Sequence, residues 1–458
     1  MEAAGITTVA MSTQWDFIQA EEGPLKLDYL SWLVESACTN TQLKVAFIVD
    51  LVRAPAWLFG KFPDAKAMDS HGRSYQLLSW FHDDANAVAM EVLRDVTTHL
   101  VNSHSRCVTA VQPVFNNEYE AKYTQEHDCY QDYSPPALTS FRGWLQAKRP
   151  RLEELNLRWG TSFKDWAEVA PGVLEAGSMM GVDLAPRYWD FLRFREIHGA
   201  EVFNRACAAV QMSGAKCFHH IPEFFTVLGA VYGATMFKHI AASPHTDFLV
   251  MDSNFRTAYG TVMNPSKLRL VISAAVAYGK PVHFEVAYGQ TATEELLEAG
   301  FRAALLAGAQ GLGVASWLGR LPMNATVRNA MQVPPQAVPC RARELVGVFV
   351  HLDSCSAWHG LQWGWARKDP LHDFIQDLAD TLTSSCQTDI ALYLELDRFA
   401  AALPSFDRVV FVEPVVLAGK QELETYTLVK SAIRAMPHDL LYLPANNTGI
   451  QMTVFADL

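Results

Sequence analysis

The chain reads as an α/β protein, a (β/α)8-type barrel followed by a smaller doubly wound α/β domain. Three observations predict this. Short apolar runs alternate with helical patterns over roughly the first 320 residues. The runs are continuous rather than alternating in polarity, as in strands covered by helices on both faces. No GxGxxG follows the first run, which weakens an open dinucleotide-binding sheet relative to a closed barrel.

Seven barrel strands are expected in order. They are ITTVAM (6–11), KVAFIVD (44–50), CVTAVQPVF (107–115), KCFHHI (216–221), TDFLVMD (246–252), PVHFEV (281–286) and LGVASW (312–317). Between them, 85–103 repeats Val88, Val92, Val96 and Leu100 at helical spacing. The stretch 293–309 opens on Thr293 with acids in its first turn, as helix starts do. A barrel needs eight strands, and EAAG before the first run reads like a helix end, so the first strand is expected to be missing. Pro113 removes a ladder donor inside its strand and predicts a bulge there.

The barrel is assigned to 1–320 and a Pro-rich linker to 321–342. A second strand–helix series fills 343–458: strands at 344–354, 388–394, 407–417 and 439–444, with helices around 370–385 and 420–436. Asp353 and Glu413 end strands there, but no Gly-rich loop stands beside them, so they read as structural.

Composition narrows the function classes. Half of the 458 residues are hydrophobic and 19% are charged, as in an ordinary globular protein. A net charge of −12 argues against a nucleic-acid partner, because phosphate binding wants clustered Lys and Arg. No apolar run approaches the roughly 20 residues of a membrane span, and MEAAGITTVAM lacks the features of a signal peptide. Eight cysteines form no CxxC pair, so buried thiols in a reduced, cytoplasmic setting are expected, with no metal and no cofactor.

Barrel active sites lie at the C-terminal strand ends. Glu118 follows one strand in VFNNEYE, Asp252 ends another, and Glu285 sits in HFEV. A lone Glu after a strand is usually solvated or caps a helix. Two on one barrel fit glycoside hydrolysis, which needs one carboxyl to donate a proton and one to attack or to activate water. The apolar surroundings of Glu285 make an idle carboxylate costly.

Four stretches carry a family resemblance. AEEGPLKLDYLSWLVESA (20–37), APAWLFGKFPDAKAMDSHGR (54–73), VFNNEYE, and SFRGWLQAKRPRLEELNLRWGTSFKDWAEV (140–169) together resemble glycoside hydrolase family 42, the β-galactosidase-like enzymes of clan A. The resemblance runs from residue 1 to about 320. It implies a retaining glycosidase for terminal β-linked sugars, with Glu118 as general acid/base and Glu285 as nucleophile. It also implies that Asn117 contacts the sugar 2-hydroxyl and that Trp317 forms a stacking wall, a core tryptophan being its alternative. Asp252 and Asn254 are expected to contact substrate. Of His219 and His220 at most one faces the site, since strand neighbours alternate; His219 is the candidate, and Trp57 a further aromatic one. The second domain resembles the family's trimerisation domain and implies a homotrimer.

This chain also departs from the family. Cys129 stands alone where relatives carry a zinc cluster, and SYQLLSWFHDD (74–84) replaces an Arg pair, which weakens galactose specificity. Another clan A exo-glycosidase, such as an arabinosidase or agar-oligosaccharide hydrolase, and a catalytically silent sugar-binding protein are the alternatives.

Overall fold

In the computed structural model of the chain, the residues described are 2, 5–116, 118–124, 130–175, 178, 185–223, 225–226, 229–252, 265–287, 294–315, 344–361, 370–384, 388–444 and 453–455. They divide into two compact units, 1–221 with 231–247 and 222–230 with 248–457.

The first unit is built on four parallel strands: β1 (Thr8–Gln14), β2 (Lys44–Asp50), β5 (Val108–Val114) and β6 (Lys216–Ile221), paired in that order. Between β2 and β5 comes a hairpin that the sequence did not announce, β3 (Lys66–Met68) against β4 (Ser74–Leu78). The unit's longer helices are α1 (Leu27–Cys38), α2 (Ala56–Lys61), α3 (Asp83–His104), α4 (Pro135–Lys148), α5 (Leu152–Trp159), α6 (Ala185–Met212) and α7 (Met236–Ala242). On α3, Val92, Val96 and Leu100 are buried at the expected spacing, and the His82 ring accepts the Ala85 N–H at its start. Phe141, Phe191 and Phe194 pack ring to ring 5.0–6.2 Å apart and fasten α4 to α6.

The bulge expected at Pro113 lies elsewhere. Register shifts between Val45 and Ala46, where Thr109 is the extra residue of β5. Pro113 itself pairs in register with Val49. Val114 carbonyl accepts the Leu51 N–H at 2.9 Å, so Val114 points its backbone at β2 and Pro113 points toward β6. There β5–β6 pairing spans only Ala110 and Val111, so no ladder bond at Pro113 is lost. The upper end of β6 is paired instead by the returning chain: Glu120 bridges His220, and Ala121 N–H donates to the His220 carbonyl at 2.8 Å.

The second unit holds two parallel sheets. One is β7 (Phe248–Asp252), β8 (Val282–Ala287) and β9 (Gly311–Ala315), with α8 (Lys267–Val276) and α9 (Glu294–Leu306). The other contains β10 (Glu344–Phe349), β11 (Thr388–Tyr393), β12 (Arg408–Glu413) and β14 (His438–Tyr442), in the order β11-β10-β12-β14. A two-stranded ribbon joins β13 (Val416–Ala418) to β15 (Thr453–Phe455). Helices α10 (Leu352–Ala357), α11 (Pro370–Thr383), α12 (Leu396–Ala402) and α13 (Gly419–Ile433) alternate with these strands, giving the expected doubly wound arrangement. Phe349, Phe399, Phe406, Phe411 and Ile433 form its core. Glu413 accepts from Tyr426 Oη at 2.7 Å and pairs with Lys430, a structural use of that carboxylate. The linker 321–342 lies outside the described residues.

All seven expected barrel strands are therefore present, each parallel to its neighbours within its unit. The cysteines differ from expectation. Cys38 pairs with Cys107 and Cys207 with Cys217 as disulfides, with Cα separations of 6.1 and 5.3 Å that suit the bond, while Cys355 is a buried thiol. Both pairs join a helix to a strand or strand start, contacts that sequence spacings of 69 and 10 do not reveal. Among the described residues no helix is long and apolar enough to cross a membrane.

Candidate active site

The chain leaves β5 and turns back through Phe115–Tyr123. Asn116, fully buried, organises this turn. Its Oδ1 accepts the backbone N–H of Glu118 at 2.8 Å and of Glu120 at 3.4 Å. Its amide donates to the carbonyls of Glu120 and Lys122. The backbone is thus wrapped around one side chain, and Glu118 is set at the tip with its own side chain 40% exposed. A glutamate after a strand needs such a fixed turn to aim a carboxylate. Sequence reasoning chose Asn117; that residue lies outside the described ones, and Asn116 is the one that builds the turn.

Around Glu118 stands a charge cluster that the sequence did not flag. Lys122, buried, places its ammonium against the Glu118 carboxylate and 2.5 Å from Glu120 Oε2. It also lies 4.4 Å from the centre of the Tyr232 ring. Burial lowers a lysine's affinity for its proton, but Glu120, Tyr232 and Glu118 more than reverse this and hold Lys122 charged. Glu120 keeps only 12% of its side chain exposed, and desolvation raises its carboxyl above the usual range against the pull of Lys122. His220 joins from β6: its Nδ1 lies 2.6 Å from Gln112 Oε1, whose amide donates to the Tyr119 carbonyl at 2.6 Å.

The histidine expectation passes from His219 to His220. His219 is fully buried on the opposite face of β6, where its ring meets Phe203 of α6 at 5.2 Å and Cys207 Sγ at 3.1 Å. Burial, with His220 beside it, pushes its pKa down to about 3, so it stays neutral in the helix-facing layer. Strand alternation, already noted from the sequence, puts His220 beside Glu120. Trp57 opens α2, half-buried, donating to the Gln19 carbonyl at 3.0 Å and meeting Trp15 edge-on. Trp80 is core: Tyr123 stacks on it at 4.3 Å and Phe203 meets it edge-on at 5.4 Å.

Asp50, at the C-terminal end of β2, was also missed. It is buried, accepts the Val52 N–H at 3.1 Å and lies 3.8 Å from Arg53 Nε. Burial raises its carboxyl from 3.8 to about 7. The rule that selected Glu118, an acid closing an apolar strand, applies to it equally.

In the second unit, β8 alternates. Val282, Phe284 and Val286 are fully buried, with Phe284 6.1 Å from the Phe301 ring of α9. Glu285 therefore stands on the other face. Parallel register puts Asp252 of β7 on one side of it and Gly313 of β9 on the other. A methyl group at Gly313 would meet the Phe284 carbonyl at 3.6 Å and Glu285 Cβ and Cγ at 3.9 Å, ordinary contacts, so this flank of Glu285 has room for a small side chain. The structure thus groups Asp252 with Glu285, and Glu118 with Glu120, Lys122 and His220. Asn254, Trp317 and the lone Cys129 lie outside the described residues.

Comparison with known proteins supplies the context. The family model for glycoside hydrolase family 42, described as β-galactosidase, matches residues 1–292. A β-galactosidase of Thermus thermophilus is 26% identical over 238 residues, which are 50% of this chain and 36% of that protein. The matched segment thus spans about a third of that relative's length. Two solved structures share the fold. The β-galactosidase of the haloarchaeon Halorubrum lacusprofundi aligns with a TM-score of 0.72 at 16% identity, over 97% of this chain and 69% of that one. The β-galactosidase of the psychrophile Marinomonas ef1 aligns with a TM-score of 0.70 at 16% identity, over 96% and 72%. With the match covering well over half of the sequence, the chain belongs to glycoside hydrolase family 42.

Proposed function

We propose that the chain is a retaining glycoside hydrolase that releases terminal β-linked sugars, β-galactosides first, by a two-glutamate double displacement. The observation that carries the proposal is that Glu118 and Glu285 each stand beyond or near the C-terminal end of a parallel strand, in a chain of this family. Glu285 attacks the anomeric carbon and the glycosidic C–O bond breaks, while Glu118 gives its proton to the departing oxygen. Water then attacks the glycosyl-enzyme ester, Glu118 takes the water proton, and Glu285 leaves. Asn117, Asp252, Asn254, Trp57 and Trp317 are assigned to sugar contacts, with His220 replacing His219. The barrel is assigned to 1–320 and the trimerisation-type domain to 343–458; light scattering that gives a monomer at micromolar concentration refutes the trimer.

The test is made on aryl β-galactosides. Glu285→Ala abolishes turnover, and azide restores it on an activated substrate, giving the α-glycosyl azide. Glu118→Ala with azide gives the β-glycosyl azide. Hydrolysis that survives either substitution unchanged overturns the assignment. The stretch 74–84, which forms β4 and its exit, departs from the family at a sugar-selecting position, so a panel including arabinosides belongs in the same assay. Sugar binding by calorimetry without turnover of any panel member identifies a silent binding protein instead.

A further inference from the structure

We propose that Lys122 is a positioning residue for the Glu118 carboxyl, and that Glu120 is the anchor that holds Lys122 in place for that task. The inference rests on the acid/base role given to Glu118 above. Three observations point to it.

First, the direction of burial is unusual. An ion pair four residues apart on a surface is normally two solvated side chains of little consequence. Here the lysine side chain is 6% exposed and the glutamate 40%. The cation comes from inside the fold and reaches outward to a carboxylate that solvent and a bound sugar can touch.

Second, the Lys122 ammonium contacts Glu118 at Oε2. A fixed cation at one side of a carboxyl orients it, and an oriented carboxyl is what directional proton transfer requires.

Third, the ammonium is itself fixed from the far side. Glu120 Oε2 lies 2.5 Å away, the Tyr232 ring lies beneath it, and the Glu120 backbone is bridged to His220 on β6. The Lys122 carbonyl is held by Asn116, the same residue that receives the Glu118 N–H. One lysine between two carboxylates leaves the trio with one excess negative charge, which a proton on either carboxyl removes. The charged and titratable groups facing the cluster are Glu118, Glu120, Tyr232 and His220.

The charges give the two partners opposite signatures. Lys122→Met removes a cation beside the proton donor and moves the alkaline limb of the kcat/KM–pH profile to higher pH. Glu120→Gln leaves the cation to Glu118 alone and moves the same limb to lower pH. Lys122→Met also lowers kcat/KM for a phenyl glycoside, whose departure needs a proton, on the order of 10- to 100-fold. It lowers that for a 2,4-dinitrophenyl glycoside far less, because that group leaves unprotonated. Lys122→Arg restores most of the loss.

The experiment is the set of pH profiles for the full chain and these three variants on both substrates, beside Glu118→Ala. Equal losses on the two substrates with an unmoved limb in Lys122→Met and Glu120→Gln reduce Lys122 to a structural role and overturn the proposal. If Lys122→Met does not fold, the downward limb shift in Glu120→Gln decides the matter. If Glu118→Ala shows no leaving-group dependence, the acid/base assignment itself fails. If it does and the Lys122 and Glu120 variants do not, only the positioning role fails.

Discussion

Asp50→Asn is expected to stabilise the first unit above neutral pH while leaving it almost unchanged near pH 4. The Asp50 carboxyl is raised from 3.8 to about 7, with burial the largest cause and Arg53 and Val52 pulling the other way. Below pH 3.8 the group is protonated whether the chain is folded or not, and it contributes nothing to stability. Between 3.8 and about 7 only the unfolded chain loses the proton, so folded stability falls by about 1.4 kcal/mol per pH unit. Above that window the penalty is complete, on the order of 4 kcal/mol. Asparagine carries no titrating group and keeps an oxygen for the Val52 N–H. Urea unfolding of the two proteins side by side at pH 5 and pH 8, followed by tryptophan fluorescence, makes the comparison. The variant's advantage is expected to grow from about 2 to about 4 kcal/mol between the two, because all other titrating groups cancel in the difference. An advantage that stays constant with pH refutes the buried, raised carboxyl.

Two further substitutions test the packing inside each unit. Arg195 is fully buried, donates to the Gln131 and Val231 carbonyls and lies 4.1 Å over the Tyr123 ring; Arg195→Leu leaves those carbonyls without its donors and is expected to cost about 3–5 kcal/mol, read as a lower denaturation midpoint. In the C-terminal sheet a methyl group on Gly347 would sit 2.2 Å from the Phe406 ring, so Gly347→Ala is expected to cost about 1–3 kcal/mol by overpacking; an unchanged thermal midpoint would contradict that close approach.

The parallel strands were legible because burial on both faces leaves a continuous apolar run, and KVAFIVD emerges at the predicted residues 44–50. The β3–β4 hairpin was not, since strands of three and five residues carry too little pattern. Period-two alternation said that His219 and His220 diverge but not which one faces inward; that depends on α6 covering one side of β6. Adjacent asparagines posed the same problem at 116 and 117. Lys122 was invisible for a different reason. In EAKY it reads as an ordinary solvated lysine, and its burial is created by Tyr232 and the end of β6, about a hundred residues away. The disulfides likewise depend on helix–strand packing rather than on spacing.

The turn that bears Glu118 is tied at both ends. It leaves β5 on one side; on the other, Ala121 N–H donates to the His220 carbonyl and Tyr123 N–H to the Tyr232 carbonyl, both at 2.8 Å, while the Tyr123 hydroxyl donates to the Arg195 carbonyl at 3.0 Å. A proton donor on a loose loop would have to be ordered anew in every catalytic cycle. Here the conformational entropy of the turn is lost once, when the chain folds. In the role proposed for Glu118, the reaction would then begin from a carboxyl that needs little reorganisation. If Glu118 is the acid/base proposed here, changes at Tyr123 or Arg195, which need never touch a sugar, are expected to slow the chemical step without weakening substrate binding.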